Sequence, residues 1–306
     1  MADKEIKGVV VPILTPLKPD ESVDVPSLRR LASYLVDNGV HGIWVSGTTG
    51  EFANLSDKER LISIQAVVDE VAGRVPVIGN VSGASTQLSI NMALEVQEMG
   101  LDGIAVTPPY YYPNAQDEVL DHYRHIRSRV GTPLWVYNIP QTVKTAVAPG
   151  TVATLASEGA VVGVKDSSGA GELLAELNVL CQQGELSLLR FLGTSYRMTV
   201  AKGVGVQGVI PGIANLIPAI SVACWDAGQA GDEAKAKEAN AKLLAFMKLG
   251  KLAKGGSPNA AAFGGMKSAL KIMGVIDDDR MSRPFRSFTD DEKAGIPPIL
   301  KELGLA

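Results

Sequence analysis

Cysteine is almost missing from this chain: Cys181 and Cys224 are the two it has in 306 residues, and each lies in an apolar stretch. Two isolated thiols cannot make a disulfide framework, and the reading is of buried structural cysteines in a reducing, cytoplasmic compartment. Histidine is nearly as scarce. His41, His122 and His125 do not form a metal-ligand set, so no metal is expected. His122 and His125 share a predicted helix with Arg124 and Arg127 and read as a solvated face, while Asp102, Asp117, Glu118 and Asp121 read as loop and helix-start residues.

Other absences exclude whole classes. The net charge is −4, with acids and bases mixed and no basic run, which argues against nucleic acid or anionic lipid as a partner. The first residues, Met1 to Lys7, are charged and lack the apolar core of a signal peptide. No apolar run is long enough to span a bilayer. The first apolar run is followed by Thr15-Pro16-Leu17-Lys18, not by a glycine-rich dinucleotide fingerprint. No Lys-Ser/Thr follows Gly47-Thr48-Thr49-Gly50, so that turn is not a P-loop.

What the chain does have is a steady alternation of short apolar runs and helical periodicity. The runs are Val9 to Leu14, Gly42 to Gly47, Val75 to Val81, Gly103 to Thr107, Pro133 to Tyr137, Val161 to Lys165, Leu188 to Leu192 and Val206 to Pro211. Between and after them lie helical stretches: Pro26 to Asn38, a helix capped by Ser56 with Glu59 as its capping-box partner, Ser85 to Met99, Gln116 to Val130, Pro149 to Ser157, Gly171 to Gln183, a short helix to Lys202, and Asn215 to Gln229. Eight strand–helix units imply parallel pairing through crossovers, and the fold expected is a closed α/β barrel, (β/α)8, over residues 1–230. Residues 231–306 are helical, with a last amphipathic helix starting at Thr289, and read as an extension of the same domain.

A barrel of this kind carries its active site at the C-terminal ends of the strands. There the sequence places Gly47-Thr48-Thr49-Gly50-Glu51, then Tyr110, Tyr111 and Tyr112, then Tyr137 and Asn138, Lys165, and Gly193-Thr194-Ser195. Lys165 ends an apolar strand. Desolvation there would lower its pKa and free an amine able to attack a ketone, although a lysine can also snorkel out to solvent. The amides and hydroxyls of the Gly47–Gly50 turn suit a carboxylate or phosphate, though such a turn can equally bond its own backbone. The tyrosines can be packing surface, while Tyr137 near a lysine can carry a proton.

Taken together, Gly47-Thr-Thr-Gly-Glu51, Thr107-Pro-Pro-Tyr-Tyr111, Tyr137-Asn-Ile-Pro140 and Gly163-Val-Lys-Asp166 resemble the dihydrodipicolinate synthase / N-acetylneuraminate lyase family, over nearly the whole chain and in order. The resemblance implies a class I aldolase, usually tetrameric as a dimer of dimers, that binds pyruvate as an imine with no other cofactor. It implies that Lys165 is the Schiff-base lysine, that Tyr137 shuttles protons with Thr48, and that Tyr111 completes that relay in a neighbouring subunit. It further implies that Thr49, with nearby amides of the turn including Gly47, binds the pyruvyl carboxylate, and that Gly193 and Ile210 line the pocket.

One departure bears on the substrate. Synthases of the family usually carry an arginine where this chain has Thr142, and losing a bidentate cation weakens binding of a second carboxylate. Thr142 and Gln141 suit hydroxyls, Lys144 is a poor replacement, and Asp166 and Ser167 look like those of a sugar-acid aldolase. The reading is a lyase that splits a 2-keto-3-deoxy sugar acid, or a similar hydroxylated 2-oxo acid, into pyruvate and an aldehyde. Its rivals are 4-hydroxy-tetrahydrodipicolinate synthase, a sugar-acid dehydratase working through the same imine, a non-catalytic keto-acid-binding protein, and a phosphate-sugar barrel enzyme.

Overall fold

The computed structural model describes residues 5–169 and 171–305. Among them, eight parallel strands close into a barrel in sequence order. They are β1 (Gly8–Pro12), β2 (Gly42–Val45), β3 (Val77–Asn80), β4 (Gly103–Val106), β5 (Leu134–Asn138), β6 (Gly163–Asp166), β7 (Leu189–Leu192) and β8 (Gly208–Val209). Around them run α1 (Val25–Asp37), α2 (Asp57–Val71), α3 (Thr86–Val96), α4 (Gln116–Arg127), α5 (Pro140–Val143), α6 (Pro149–Ser157), α7 (Glu172–Gln182), α8 (Ala201–Val204) and α9 (Pro218–Ala230). The remainder forms α10 (Glu233–Phe246), α11 (Pro258–Ile272), α12 (Asp290–Lys293) and α13 (Ile296–Leu303). α10 lies against α9 and α13, and α11 against α13. No helix among the described residues is long and apolar enough to cross a membrane.

Strand side chains alternate, which sorts the apolar residues into two cores. Val9, Val11, Ile43, Val45, Val77, Ile104, Val106, Val136, Val164 and Val209 point outward beneath the helices. Val10, Trp44, Ile78, Ala105, Trp135, Tyr137, Phe191 and Ile210 fill the lumen. Trp135 packs edge-on against Trp44 at 6.2 Å and against Phe191 at 5.3 Å. Its ring needs the space left by Gly163, its register partner on β6, because a Cβ there would sit 2.5 Å from the indole. The lumen is therefore plugged by aromatic rings and dry.

The structure departs from the sequence reading at several places, each for a physical reason. β8 is two residues long instead of running to Pro211, and the Asn215 side chain completes the closure: its amide donates to Pro12 O and its Oδ1 accepts from Leu14 N. Ser56 caps α2 by accepting from Glu59 N, but the Glu59 carboxylate does not reach back to form a capping box; it accepts from Val23 N at 2.6 Å. The last helix is broken into α12 and α13 at Gly295, with the Pro297-Pro298 pair in the first turn of α13. Cys224 is buried, whereas Cys181 is half-buried, and both thiols are free.

The largest correction is His122, which was expected on a solvated face. His125 is exposed, but His122 is 2% exposed, on the inward face of α4 with Val119, Tyr123 and Ile126. Its Nε2–H donates to Thr107 O at 3.3 Å, and Nδ1 lies 2.9 Å from Thr86 Oγ1, which donates to the neutral ring. Burial pushes its pKa down from 6.5 to about 4. The unfolded chain therefore takes up a proton that the folded chain refuses, and stability is lost as pH falls from 6.5 towards 4. The expected loss from this group is about 3 kcal/mol over that window. Urea melts of the parent and of His122→Gln should diverge by this amount across the window, and parallel curves would show that His122 is not the group responsible.

Candidate active site

Tyr137 and Lys165 face each other across the β5–β6 register, so alternation turns both into the lumen. Lys165 is 3% exposed. Its Nζ lies 4.0 Å from the centre of the Tyr137 ring and 4.7 Å from that of Trp44. Burial lowers the pKa of this ammonium from its ordinary value, and its interactions with the Tyr137 phenol pull partly back. The geometry is that of an amine held dry among aromatic faces, not of a lysine reaching for solvent.

The Tyr137 hydroxyl lies 3.1 Å from Thr48 Oγ1. Thr48 sits in the turn after β2, where two non-glycine residues, Ser46 (φ 57) and Glu51 (φ 60), adopt the left-handed conformation on either side of Gly47–Gly50. Such residues cost on the order of 1–3 kcal/mol each and persist where the surroundings over-determine them. The turn is held by Thr15 Oγ1 donating to Gly50 O, and by Asn80 Nδ2 donating to Ser46 O. Among the described residues, the amides of Thr48 and Thr49 and the Thr49 hydroxyl have no hydrogen-bond partner. Clustered free donors at a tight turn form an anion-binding concavity.

The structure thus brings Lys165, Tyr137, Thr48 and the Gly47–Thr49 turn to one end of the lumen, with Ile210 packed in the same apolar cluster. Gly193 N donates to Asp166 O at 2.7 Å, and a Cβ at Gly193 would lie 2.0 Å from Ser167 Oγ and 3.0 Å from Asp166 O, so a side chain there would crowd the ends of β6 and β7.

Asp166 is not a lumen residue. One position past Lys165, it points outward, fully buried, where its carboxylate accepts from Asn138 Nδ2 and from the amide and hydroxyl of Ser168. The expectation that it contacts substrate is corrected: it braces the turn after the lysine.

A cavity of about 330 Å³ opens beside this group. Thr48, Thr107, Tyr110, Tyr111, Thr142 and Lys144 are on its wall, together with Asn259 and Phe285 from the C-terminal region; Lys165, Thr49 and Tyr137 are not. Thr142 is exposed on that wall because α5, which sequence reading missed behind Pro140, turns it outward. Tyr111 is 69% exposed at φ 92 and makes no hydrogen bond to the Thr48–Tyr137 pair among the described residues. Two wall and lumen residues went unnoticed as site residues in the sequence. Trp44 was hidden within an apolar run, and Thr107, whose hydroxyl is buried without a partner, sat inside a longer motif. Among the described residues, no group of three or more His, Cys, Asp or Glu is placed to hold a metal ion.

Comparison with known proteins gives a consistent picture. The profile of the dihydrodipicolinate synthetase family matches residues 5–303. The chain is 34% identical over 303 residues to an uncharacterised DapA-like lyase of Halobacterium salinarum, covering 98% of this chain and 95% of that one. It is 32% identical over 299 residues to a 4-hydroxy-tetrahydrodipicolinate synthase of Syntrophus aciditrophicus, covering 98% and 99%. Dihydrodipicolinate synthase from Bacteroides thetaiotaomicron superposes with a TM-score of 0.91 at 29% identity, covering 98% and 99%. A prophage protein of the dihydrodipicolinic acid synthase family from E. coli K12, solved in complex with pyruvate, superposes with a TM-score of 0.87 at 25% identity, covering 98% and 99%.

Proposed function

The chain belongs to the dihydrodipicolinate synthetase family, a family of lyases and synthases, and from this premise we propose that it is a lysine Schiff-base lyase. Its reaction is the reversible aldol cleavage of a 2-keto-3-deoxy sugar acid, or a similar hydroxylated 2-oxo acid, to pyruvate and an aldehyde. The observation that carries this reading is the Lys165 amine, dry between Trp44 and Tyr137, beside a phenol hydrogen-bonded to Thr48. The pyruvate bound by the E. coli relative supports the same keto-acid half.

The steps follow from that geometry. The substrate carboxylate docks on the Thr48 and Thr49 amides and the Thr49 hydroxyl, which places C2 near Lys165. The amine adds to C2, Tyr137 gives a proton to the departing oxygen, and water leaves as the iminium forms. The Tyr137 oxygen, deprotonated in the step before, takes the proton of the C4 hydroxyl, the C3–C4 bond breaks, and its electron pair is delocalised onto the iminium as an enamine. The aldehyde departs, C3 takes a proton back through the Tyr137–Thr48 pair, and water releases pyruvate and the free lysine. The imine itself is the electron sink, so the scheme uses no organic cofactor and no metal. The exposed Tyr111, at a strained φ on the wall of the same cavity, fits a role completed across a subunit contact in a homotetramer.

Thr142, on the cavity wall where synthases carry an arginine, favours a hydroxylated aldehyde over one bearing a second carboxylate. The second reading is 4-hydroxy-tetrahydrodipicolinate synthase, favoured by relatives that carry that name, with Lys144 on the same wall as the cation. Two measurements test the proposal. Pyruvate with borohydride should add mass at Lys165 and nowhere else. A panel of sugar-derived 2-oxo-3-deoxy acids against pyruvate plus aspartate semialdehyde should show aldehyde release from the former; turnover confined to the semialdehyde would establish the second reading instead.

A further inference from the structure

The Gly47–Gly50 turn is anchored by a charge that the proposed chemistry does not use. Glu51 closes the turn at φ 60, and its carboxylate is fully buried. Glu51 is on the wall of the cavity, and its carboxylate reaches into the C-terminal region. There Oε1 meets Lys267 Nζ of α11 at 2.5 Å, and both side chains are 0% exposed. Oε2 accepts from Ser282 N at 2.8 Å and from Ser282 Oγ at 2.6 Å. Lys267 Nζ also donates to Arg280 O at 2.8 Å, and Asn54, just past the turn, donates to Ser282 Oγ.

A fully buried ion pair rarely improves stability over an apolar pair of the same size, and a left-handed glutamate is unfavourable besides. Two such features at one residue call for a reason. The turn supplies Thr48, whose hydroxyl must stay within hydrogen-bond distance of Tyr137 OH, and the free amides of Thr48 and Thr49. Glu51 N donates back to Thr48 O, so the left-handed residue and the threonine move as one unit. The charge pair is directional where an apolar contact would slide.

We infer that the buried Glu51–Lys267 ion pair, with Ser282, is the device by which the C-terminal helices hold Thr48 against Tyr137. Lys267 and Glu51 are positioning residues: neither touches the reacting atoms, and both act through the turn. The kinetic consequence rests on the imine reading above; the geometric one does not.

The test uses the whole 306-residue chain. Lys267→Met leaves a buried carboxylate without its counter-ion and should let the turn shift. Displacing a positioned group by about 1 Å costs on the order of 100-fold in rate. The expected result is therefore a roughly 100-fold drop in kcat while borohydride, at saturating pyruvate, still traps the adduct at Lys165 in full yield. The double variant Glu51→Gln/Lys267→Met removes the unpaired charge but keeps an acceptor for Ser282, and should regain about tenfold or more of the loss. A purely structural role would instead lower adduct yield and kcat together with the folded fraction, and would overturn the inference. So would a folded Lys267→Met variant with kcat near the parent's. Should Lys267→Met not fold, Ser282→Ala takes its place, with a drop in kcat and intact trapping expected and unchanged kcat contradicting the idea. A crystal structure of either variant separates this inference from the proposed reaction. If Thr48 Oγ1 is still bonded to Tyr137 OH, the positioning role is wrong whatever the chemistry; if parent enzyme yields no adduct, the imine reading is what fails.

Discussion

Lys165→Ala should lose the borohydride-trapped pyruvate adduct entirely, and turnover should drop on the order of 10⁴-fold or more, the scale seen when an enzyme loses its covalent nucleophile. No other lysine of the site region can substitute. Lys144 stands exposed on the cavity wall, 5.8 Å from the Tyr111 ring, and Lys267 is committed to Glu51. Lys165→Met separates chemistry from folding. The lumen around Lys165 is apolar and aromatic, so the variant buries a methionine where the parent desolvates an ammonium, and it should melt no lower than the parent. Intact-protein mass after borohydride, steady-state rates and a thermal melt together decide this. An adduct that survives the substitution, on any residue, defeats the assignment of Lys165.

Tyr137→Phe should behave differently. The ring stays, so the dry wall against Lys165 and the edge-on contact with Trp44, 5.6 Å between centres, are kept. Only the hydroxyl bonded to Thr48 is lost. Stability should change by about 1 kcal/mol, the usual worth of one hydrogen bond. Turnover should fall by roughly 10²–10⁴-fold, the usual contribution of a positioned acid or base. Imine formation should slow less than turnover, because in the proposed scheme the phenol serves imine formation once, at dehydration, and turnover again, at the C4 hydroxyl and in the proton return to C3. Rapid-quench trapping set against kcat measures the split. Equal losses in both would confine Tyr137 to imine formation and remove it from the proton return to C3.

Much of the site was legible from residues alone because its signals are local. A charged residue ending an apolar strand, a Gly-Thr-Thr-Gly turn and a tyrosine ending the preceding strand are each visible in a short window. Strand alternation then puts Tyr137 and Lys165 on one face once their register is known. The same alternation explains the error at Asp166. Likeness to sugar-acid aldolases just past Lys165 suggested a substrate role, but adjacent strand residues point to opposite sides, and Asn138 and Ser168 claim its carboxylate. At His122 the neighbouring Arg124 and Arg127 pointed to a solvated face, and only the packing of α4 against Thr86 and Thr107 turned it inward.

By itself, then, the amino-acid order determined the eightfold strand–helix alternation, the closed barrel, the family and the dry lysine, since hydrophobic period, glycine and proline punctuation and short motifs act within a few residues. Tertiary structure alone decided which polar groups met. Glu59 left its expected cap for Val23, Asn215 completed the barrel beside a two-residue strand, and Glu51 found Lys267 from the far end of the chain. Those pairings depend on the distance and direction of side chains brought together by folding, and no local pattern encodes them.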